Sequence, residues 1–337
     1  MTSFPHLDKL IYKLSLSETQ YHEIMEGLLS EKYSDLQKAS AITALSMTPI
    51  DQYLLTALSE VVLAKTSLLP CPDACIDTCG TGGDGKGYFN ISTVSSFITV
   101  AAGIKVLKHG NRSASGVSGS ADFLEIAGVK LEHSYHSLQK LLSETGFAFV
   151  FAPHVHPCLH AIAQIRKKMQ VKTIFNFLGP LVHPAILTYQ IVGVADEQAQ
   201  EPMFQTLSKK RKRVMVLRGL DGCDECSVFA PTLVYDNLHG TFIVNPKEFG
   251  LSYPDHVSKE LVVTNKDESF SLGLAILSGE ITGPARAICI LNAALAIFCA
   301  EKTQTLAEAI TEATVLLDSR QAYASFQKHR NHSEHCL

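Results

Sequence analysis

The sequence predicts an α/β fold in which a small all-helical domain precedes a large domain with a mainly parallel sheet flanked by helices. Three observations carry this prediction. Apolar residues recur at helical spacing through the first part of the chain. After residue 75, short apolar runs suited to buried strands alternate with helical stretches, the pattern of a parallel sheet covered on both faces. The chain has 337 residues, 46% hydrophobic and 18% charged, enough apolar material for a sizeable core and about two domains by length. The expected division is 1–70 for the helical domain and 71–337 for the α/β domain.

Ser17 and Gln20 form a capping box ahead of a helix in which Tyr21, Ile24, Met25, Leu28 and Leu29 keep helical spacing. SDLQKASAITALSM and DQYLLTALSEVVLAKT are expected as two further helices, the first ending before Pro49. SLLPCPDAC reads as a linker, because proline disfavours continuing a helix. ACIDTCG then gives a strand, and SSFITVAAG a helix that Ser92 and Thr93 can cap. IKVLKHGN is the next strand, SGSADFLEIAGV the next helix and GFAFVFAP a buried strand. HPCLHAIAQIRKKM is helical, with Arg166 near its end. YQIVGVA, RVMVLRG and LVVT supply more strands, and SGEITGPARAICILNAALAIFCAEK a late helix. There is no internal repeat and no low-complexity tract.

Composition narrows the function classes. A net charge of −4 lacks the basic excess of a nucleic-acid binder. No apolar run is long enough to span a bilayer, and MTSFPHLDKLIYKL lacks the apolar core of a signal peptide. The nine cysteines are scattered and odd in number, which reads as reduced thiols in a cytoplasmic protein.

The stretch CGTGGDGKGYFNIST, residues 79–93, carries the chemistry. It nearly matches a Walker A loop, but Gly87 stands where the magnesium-binding Ser or Thr is required. It also fits GxGxxG, but the following strand ends in Lys108-His109-Gly110-Asn111 and not in the acidic residue that holds a ribose. The third reading fits better. Gly80, Gly82 and Gly83 let the backbone approach an anion. Asn90-Ile91-Ser92-Thr93 adds side-chain partners at a helix start, where unpaired N–H groups attract phosphate. Lys108 adds a full positive charge. Two such loops at adjacent strand ends would face one crevice, which suits a ligand carrying two phosphate clusters.

Other constellations surround this loop. KHGNRSASG is a second small-residue loop able to cover phosphate. In DGCDECS, Asp224 and Glu225 are hard-oxygen ligands at a strand end, suited to Mg²⁺. Their neighbours Cys223 and Cys226 have CxxC spacing without a thioredoxin-like context. Arg166 presents a planar fork suited to a carboxylate. His154, His156 and His160 read as structural, LSKKRKRV as the solvated end of a helix before a strand, and HRNHSEHC as a mobile tail.

Together DTCGTGGDG, FNIST, KHGNRSASGVSGSADFLE, HPCLHAIAQIR, TIFNFLGPLVHPA, GLDGCDECS and GPARAICILNAA resemble the anthranilate phosphoribosyltransferases of tryptophan biosynthesis. They run in that family's order across roughly residues 76–300. The resemblance implies the fold shared with pyrimidine nucleoside phosphorylases, with the helical domain completed by a mid-chain segment near 160–190, and a homodimer that pairs through the helical domain. It implies transfer of the phosphoribosyl group of 5-phosphoribosyl 1-pyrophosphate (PRPP) to the amine of anthranilate, with Mg²⁺ as the cofactor. By the same resemblance Gly80, Gly83, Asp84, Asn90, Ser92, Thr93, Lys108 and Ser120 would bind PRPP. Ser92, Asp224 and Glu225 would hold the metal, and Asn111, Arg166 and Gly179 would line the anthranilate site, with Arg166 facing the carboxylate. No general base is expected, because the aromatic amine is neutral near pH 7 and positioning supplies much of the acceleration.

The chain departs from the family pattern at Tyr88, at Gly116, in SMTPIDQY, at Gln170-Val171-Lys172 and at Val182-His183-Pro184. The alternative readings are a divergent phosphoribosyltransferase with another aromatic amine acceptor, a pyrimidine nucleoside phosphorylase, and a non-enzymatic nucleic-acid-binding relative. The phosphorylase usually carries an extra C-terminal domain that this chain is too short to hold. The nucleic-acid reading is left alive by KKRKR and opposed by Asp224-Glu225.

Overall fold

The computed structural model describes residues 3–71, 74–113 and 117–334. Gly116 and residues 335–337 lie outside these residues; the rest of HRNHSEHC is not a loose tail, since it ends the helix Gln321–Ser333 and buries His329. The capping box at Ser17 forms as the sequence predicts, with the Gln20 N–H donating to Ser17 Oγ and the Ser17 N–H donating to Gln20 Oε1. The helices Glu18–Leu29, Asp35–Ser46 and Gln52–Leu63 follow in the expected order. A short helix, Leu7–Ile11, precedes them; five residues are too few to show a period in sequence.

Seven strands form one sheet: β1 Cys75–Gly80, β2 Lys105–Gly110, β3 Phe147–Phe151, β4 Tyr189–Gly193, β5 Arg213–Gly219, β6 Thr232–Asp236 and β7 Gly240–Val244. Their order is β3-β2-β1-β4-β5-β6-β7. The first five are parallel, and β5 to β7 run antiparallel as a meander at one edge. The chain winds outward from β1 to β3 on one side and from β4 on the other. The strand order therefore reverses between β1 and β4, whose last residues, Gly80 and Gly193, are paired. In open α/β sheets the crevice beyond such a switch point is where ligands bind.

Both faces of the sheet are covered. The helices Ile91–Ala101 and Pro284–Cys299 pack on one face through Val94, Phe97, Ile98, Ile288, Leu291 and Leu295. On the other face the N-terminal helices share a core with mid-chain and sheet residues. Ile24, Leu28, Leu45 and Leu58 cluster with Ile162, Ile165, Phe175 and Leu178, and with Val192 and Val216 of the sheet.

Several expectations are corrected. LVVT forms no strand. Val262 makes one isolated bridge to Tyr88, while Phe89 N–H donates to Leu261 O and Val263 N–H to Gly87 O. The end of the glycine loop has taken the backbone partners that a sheet neighbour would use. The late helix begins only at Pro284, because Gly279 and Gly283 hold φ of +78° and +83°, values that stop a right-handed helix. The helix after the glycine loop is capped by Asn90, whose Oδ1 accepts from the Thr93 N–H at 3.0 Å; Ser92 and Thr93 lie inside it.

The basic run is not a solvated face either. Lys210 donates to Ser59 Oγ, Arg211 to Gln190 Oε1, and fully buried Arg213 pairs with Asp236 at 2.7 Å. Only Lys209 and Lys212 of KKRKR are exposed. That removes the main feature favouring a nucleic-acid surface.

Candidate active site

A cleft of about 460 Å³ opens beyond the carboxyl ends of the central strands. Its floor is the glycine loop. Gly82, Gly83, Gly85 and Gly87 take φ between +67° and +81°, the left-handed region that glycine enters at little cost. The N–H groups of Thr81, Gly82 and Lys86 have partners within the chain. One of them, that of Gly82, donates to Asp224 Oδ2 at 2.6 Å. Asn90 and Ser92 open the helix Ile91–Ala101 at the edge of this floor.

Lys108 is 1% exposed. Its Nζ donates to Thr78 O at 2.5 Å and to Ser92 Oγ at 3.1 Å. Packing under the floor thus fixes the ammonium, which holds the Ser92 hydroxyl in place.

Asp224 and Glu225 come from the loop that follows β5. Gly80 and Gly193 make room for that loop: a Cβ on Gly193 would lie 1.6 Å from Asp224 O, and one on Gly80 2.4 Å from Asp224 Oδ2. Asn292, in the helix Pro284–Cys299, clamps the far side. Its Oδ1 accepts from the Cys226 N–H, and its Nδ2 donates to Cys226 O. Burial and the charge of Asp84 push the Asp224 carboxyl up to about 7. Burial and Asp224 push Glu225 up to about 8, against the opposing pull of Lys108. Crowded carboxylates with raised pKa values favour a divalent cation, and the hard-oxygen donors Asp224, Glu225 and Ser92 fit Mg²⁺.

The other half of the cleft faces the helical side. Arg166 Nη2 donates to Asn176 Oδ1 at 3.1 Å, while its buried Nε has no partner. Burial lowers its pKa. A desolvated guanidinium with an unmet donor favours an anionic partner. Asn111 and Gly179 line the same cleft, as does Ser120 at the start of Ser120–Ile126. Of the thirteen residues predicted from sequence, all but Thr93 line this one cleft. Thr93 is fully buried behind it, its N–H spent on the Asn90 cap and its Oγ1 unpartnered.

Sequence reasoning missed two features here. His109, His156 and His183 form a cluster with ring centroids 5.1 and 5.5 Å apart, and the Nε2 atoms of His109 and His156 are buried without partners. His156 reads as structural from its local run, and nothing in that run announces His109, which arrives from β2, or His183, which comes from the segment before β4. Lys172 Nζ donates to Gly83 O, tying the segment after Arg166 to the glycine loop. The Gln170-Val171-Lys172 departure was the available signal. Gln170 itself takes φ +54°, the conformation for which glycine is the usual residue.

Residues 73–323 match the glycosyl transferase family, a/b domain, and residues 5–66 its helical bundle domain. Anthranilate phosphoribosyltransferase of Herpetosiphon aurantiacus is 36% identical over 321 residues, covering 94% of each chain. The one from Legionella pneumophila (strain Paris) is 37% identical over 328 residues, covering 96% of this chain and 94% of its own. The chain belongs to the anthranilate phosphoribosyltransferase family. The crystal structure of a Thermus thermophilus member superposes with a TM-score of 0.89 at 31% identity, covering 98% of this chain and 99% of that one. A Saccharomyces cerevisiae member, solved in complex with PRPP and Mg, shares the fold with a TM-score of 0.88 at 24% identity, covering 98% and 97% of the two chains. Family membership makes the protein a glycosyltransferase-type enzyme. Among the described residues no helix is long and apolar enough to cross a membrane.

Proposed function

We propose that this protein transfers the phosphoribosyl group of PRPP to the amine of anthranilate, giving N-(5-phosphoribosyl)anthranilate and pyrophosphate, in tryptophan biosynthesis. The observation that carries this reading is the meeting, in one cleft, of an anion-binding glycine loop, a crowded acidic pair and an arginine with an unmet buried donor. In this reading Gly80, Gly83, Asp84, Asn90, Ser92, Lys108 and Ser120 hold PRPP. Thr93 supports them from behind through the Asn90 cap. Asn111, Arg166 and Gly179 seat anthranilate, with the Arg166 guanidinium on its carboxylate.

The chemistry follows from placement. Mg²⁺, held by Ser92, Asp224 and Glu225, would supply positive charge against the leaving pyrophosphate. The N–H groups of the glycine loop donate to the same developing charge and need no reorganisation to do so. As the bond to pyrophosphate lengthens, C1 of the ribose gains oxocarbenium character. The neutral amine, oriented by Arg166 and Asn111, attacks from the opposite face and then loses a proton to water. Orientation does the work a general base would otherwise do.

The same reading makes the protein a cytoplasmic homodimer joined through its helical region, where Leu36, Met47 and Tyr53 expose apolar side chains. Sedimentation of the wild type beside Leu36→Glu tests the pairing: a dimer that the charge dissociates supports it, and a monomeric wild type overturns it.

The reaction is tested by the loss of anthranilate fluorescence in the presence of purified protein, PRPP and Mg²⁺. Turnover that needs both PRPP and metal is expected, and Asp224→Asn/Glu225→Gln should lower it by roughly a hundredfold or more. PRPP binding without turnover would point to another aromatic amine acceptor. Absence of PRPP binding would remove the transferase reading altogether.

A further inference from the structure

The acidic turn carries a donor that the magnesium reading does not use. Cys223 is 1% exposed, and its thiol makes no hydrogen bond among the described residues. The sulfur and one carboxylate oxygen each from Asp84 and Asp224 lie within 4.8 Å of one another. The CxxC partner takes no part in this group: Cys226 is held apart by the Asn292 clamp on its backbone. The cluster joins two parts of the fold, the glycine loop that carries Asp84 and the loop after β5.

We propose that Asp84, Cys223 and Asp224 form a site for a thiophilic divalent cation, Zn²⁺ above all, which is distinct from the magnesium position and shares Asp224 with it. The donor chemistry selects the ion. Mg²⁺ takes hard oxygen ligands and has no use for sulfur. Zn²⁺ binds thiolate and carboxylate together, commonly in four-coordinate geometry, and stands well above hard ions in affinity for such sets. Bond lengths of about 2.3 Å to sulfur and about 2.0 Å to oxygen place ligand atoms about 3.5 Å apart in a tetrahedron. The cluster therefore needs to close by no more than about an ångström on binding. Asp84 can supply that movement, since it lies between Gly83 and Gly85, both at positive φ. The thiol proton leaves to solvent as the Zn–S bond forms. Three protein ligands leave a fourth position for water or for a phosphate oxygen.

The functional consequence rests on the proposed transfer reaction. Zn²⁺ draws Asp224 and Asp84 together and away from the positions that serve Mg²⁺ and PRPP, so it inhibits in competition with Mg²⁺. Binding itself does not depend on that reaction and is tested first, in the full chain with no PRPP or anthranilate present. Cobalt(II) titration should give a thiolate-to-cobalt charge-transfer band in the wild type that is lost in both Cys223→Ser and Cys223→Val. Equilibrium dialysis against Zn²⁺ should show a site whose dissociation constant rises about tenfold or more in both variants. A wild type without the band, or a band and Zn²⁺ affinity unchanged in whichever of the two variants folds, overturns the proposal. In the enzyme assay, the variants should keep Mg²⁺-dependent turnover and lose most of their Zn²⁺ sensitivity. Equal Zn²⁺ inhibition with and without the thiol overturns the inhibitory role.

Discussion

At the scale of single residues, Asp224 and Glu225 decide the character of the site. Both are raised, to about 7 and about 8, so each binds its proton more tightly folded than unfolded. Their contribution to stability is then full below the unfolded values, near 4, and is lost as pH rises through about 7 to 8. A divalent cation relieves the repulsion that causes the loss. Magnesium should accordingly raise the melting temperature more at about pH 8.5 than at about pH 6, and Glu225→Gln should flatten that difference; scanning fluorimetry at the two pH values reads it directly. A magnesium effect independent of pH would remove the raised pair from the metal site. These two acids were legible in the sequence because they are adjacent and follow an apolar strand. So was Arg166, from the turn beyond its helix. Thr93 was misplaced by its own residue type: a hydroxyl at a helix start invites a ligand role, but the Asn90 side chain takes the cap and leaves Thr93 facing the core.

At the scale of elements, the site depends on glycines that face one another across β1 and β4. A methyl group on Gly193 would meet the carbonyl oxygen of Asp224 at 1.6 Å, and this neighbour is backbone, which cannot rotate aside. Gly193→Ala should push the acidic loop out of the cleft, destabilise the fold by about 1–3 kcal/mol as an overpacked contact does, and abolish the magnesium-induced thermal shift. A folded variant that keeps the full shift would show that the loop is not held there. The link between Lys172 and Gly83 is an element-scale contact of the other kind. It joins the segment that follows Arg166, on the acceptor side, to the loop on the PRPP side. Lys172→Met should raise KM for PRPP by roughly tenfold, in line with one lost charge-assisted contact, with Lys172→Arg restoring most of it. Unchanged KM in the Met variant would leave the contact without a role in binding. Most of the β1-to-β5 frame was legible, because buried parallel strands are short apolar runs. The β6–β7 hairpin was not read, although TLVYD and GTFIV carry runs as apolar as that of LVVT; its outer strand is largely exposed, with only Val244 buried. LVVT had such a run and still made no strand, because the glycine loop offered its backbone a nearer partner.

At the scale of the whole molecule, the histidine cluster joins what the sequence divides. His156 follows β3, yet its Nδ1 meets the hydroxyl of Thr66 at the end of the helical region. Because that hydroxyl also donates to Val62 O, Nδ1 carries the proton and the buried Nε2 is a bare lone pair. His183 accepts from the Ala185 N–H and faces Leu107 O from the segment entering β4. Neither the His156–Thr66 nor the His183–Leu107 contact could be read from sequence, since they join residues 90 and 76 positions apart. Burial lowers all three imidazoles, with His183 and His156 adding repulsion on His109, and His156 falls to about 4. The junction is therefore a neutral set whose stability is whole above about pH 6.5 and is lost as pH falls through about 4. For His156 alone the loss is on the order of 3 kcal/mol, at about 1.4 kcal/mol per unit of pKa. The raised Asp224–Glu225 pair changes stability in the opposite sense over the same range, so the measurement belongs in the Asp224→Asn/Glu225→Gln background. There, urea unfolding at about pH 7 and about pH 4.5 should show a steep loss of stability on acidification, and His156→Gln should reduce that loss while costing some stability at neutral pH. An acid dependence identical with and without His156 would mean that the junction does not titrate, and that the acid response of the molecule arises elsewhere, as at His329, buried against Phe97 and Phe147 and lowered to about 3.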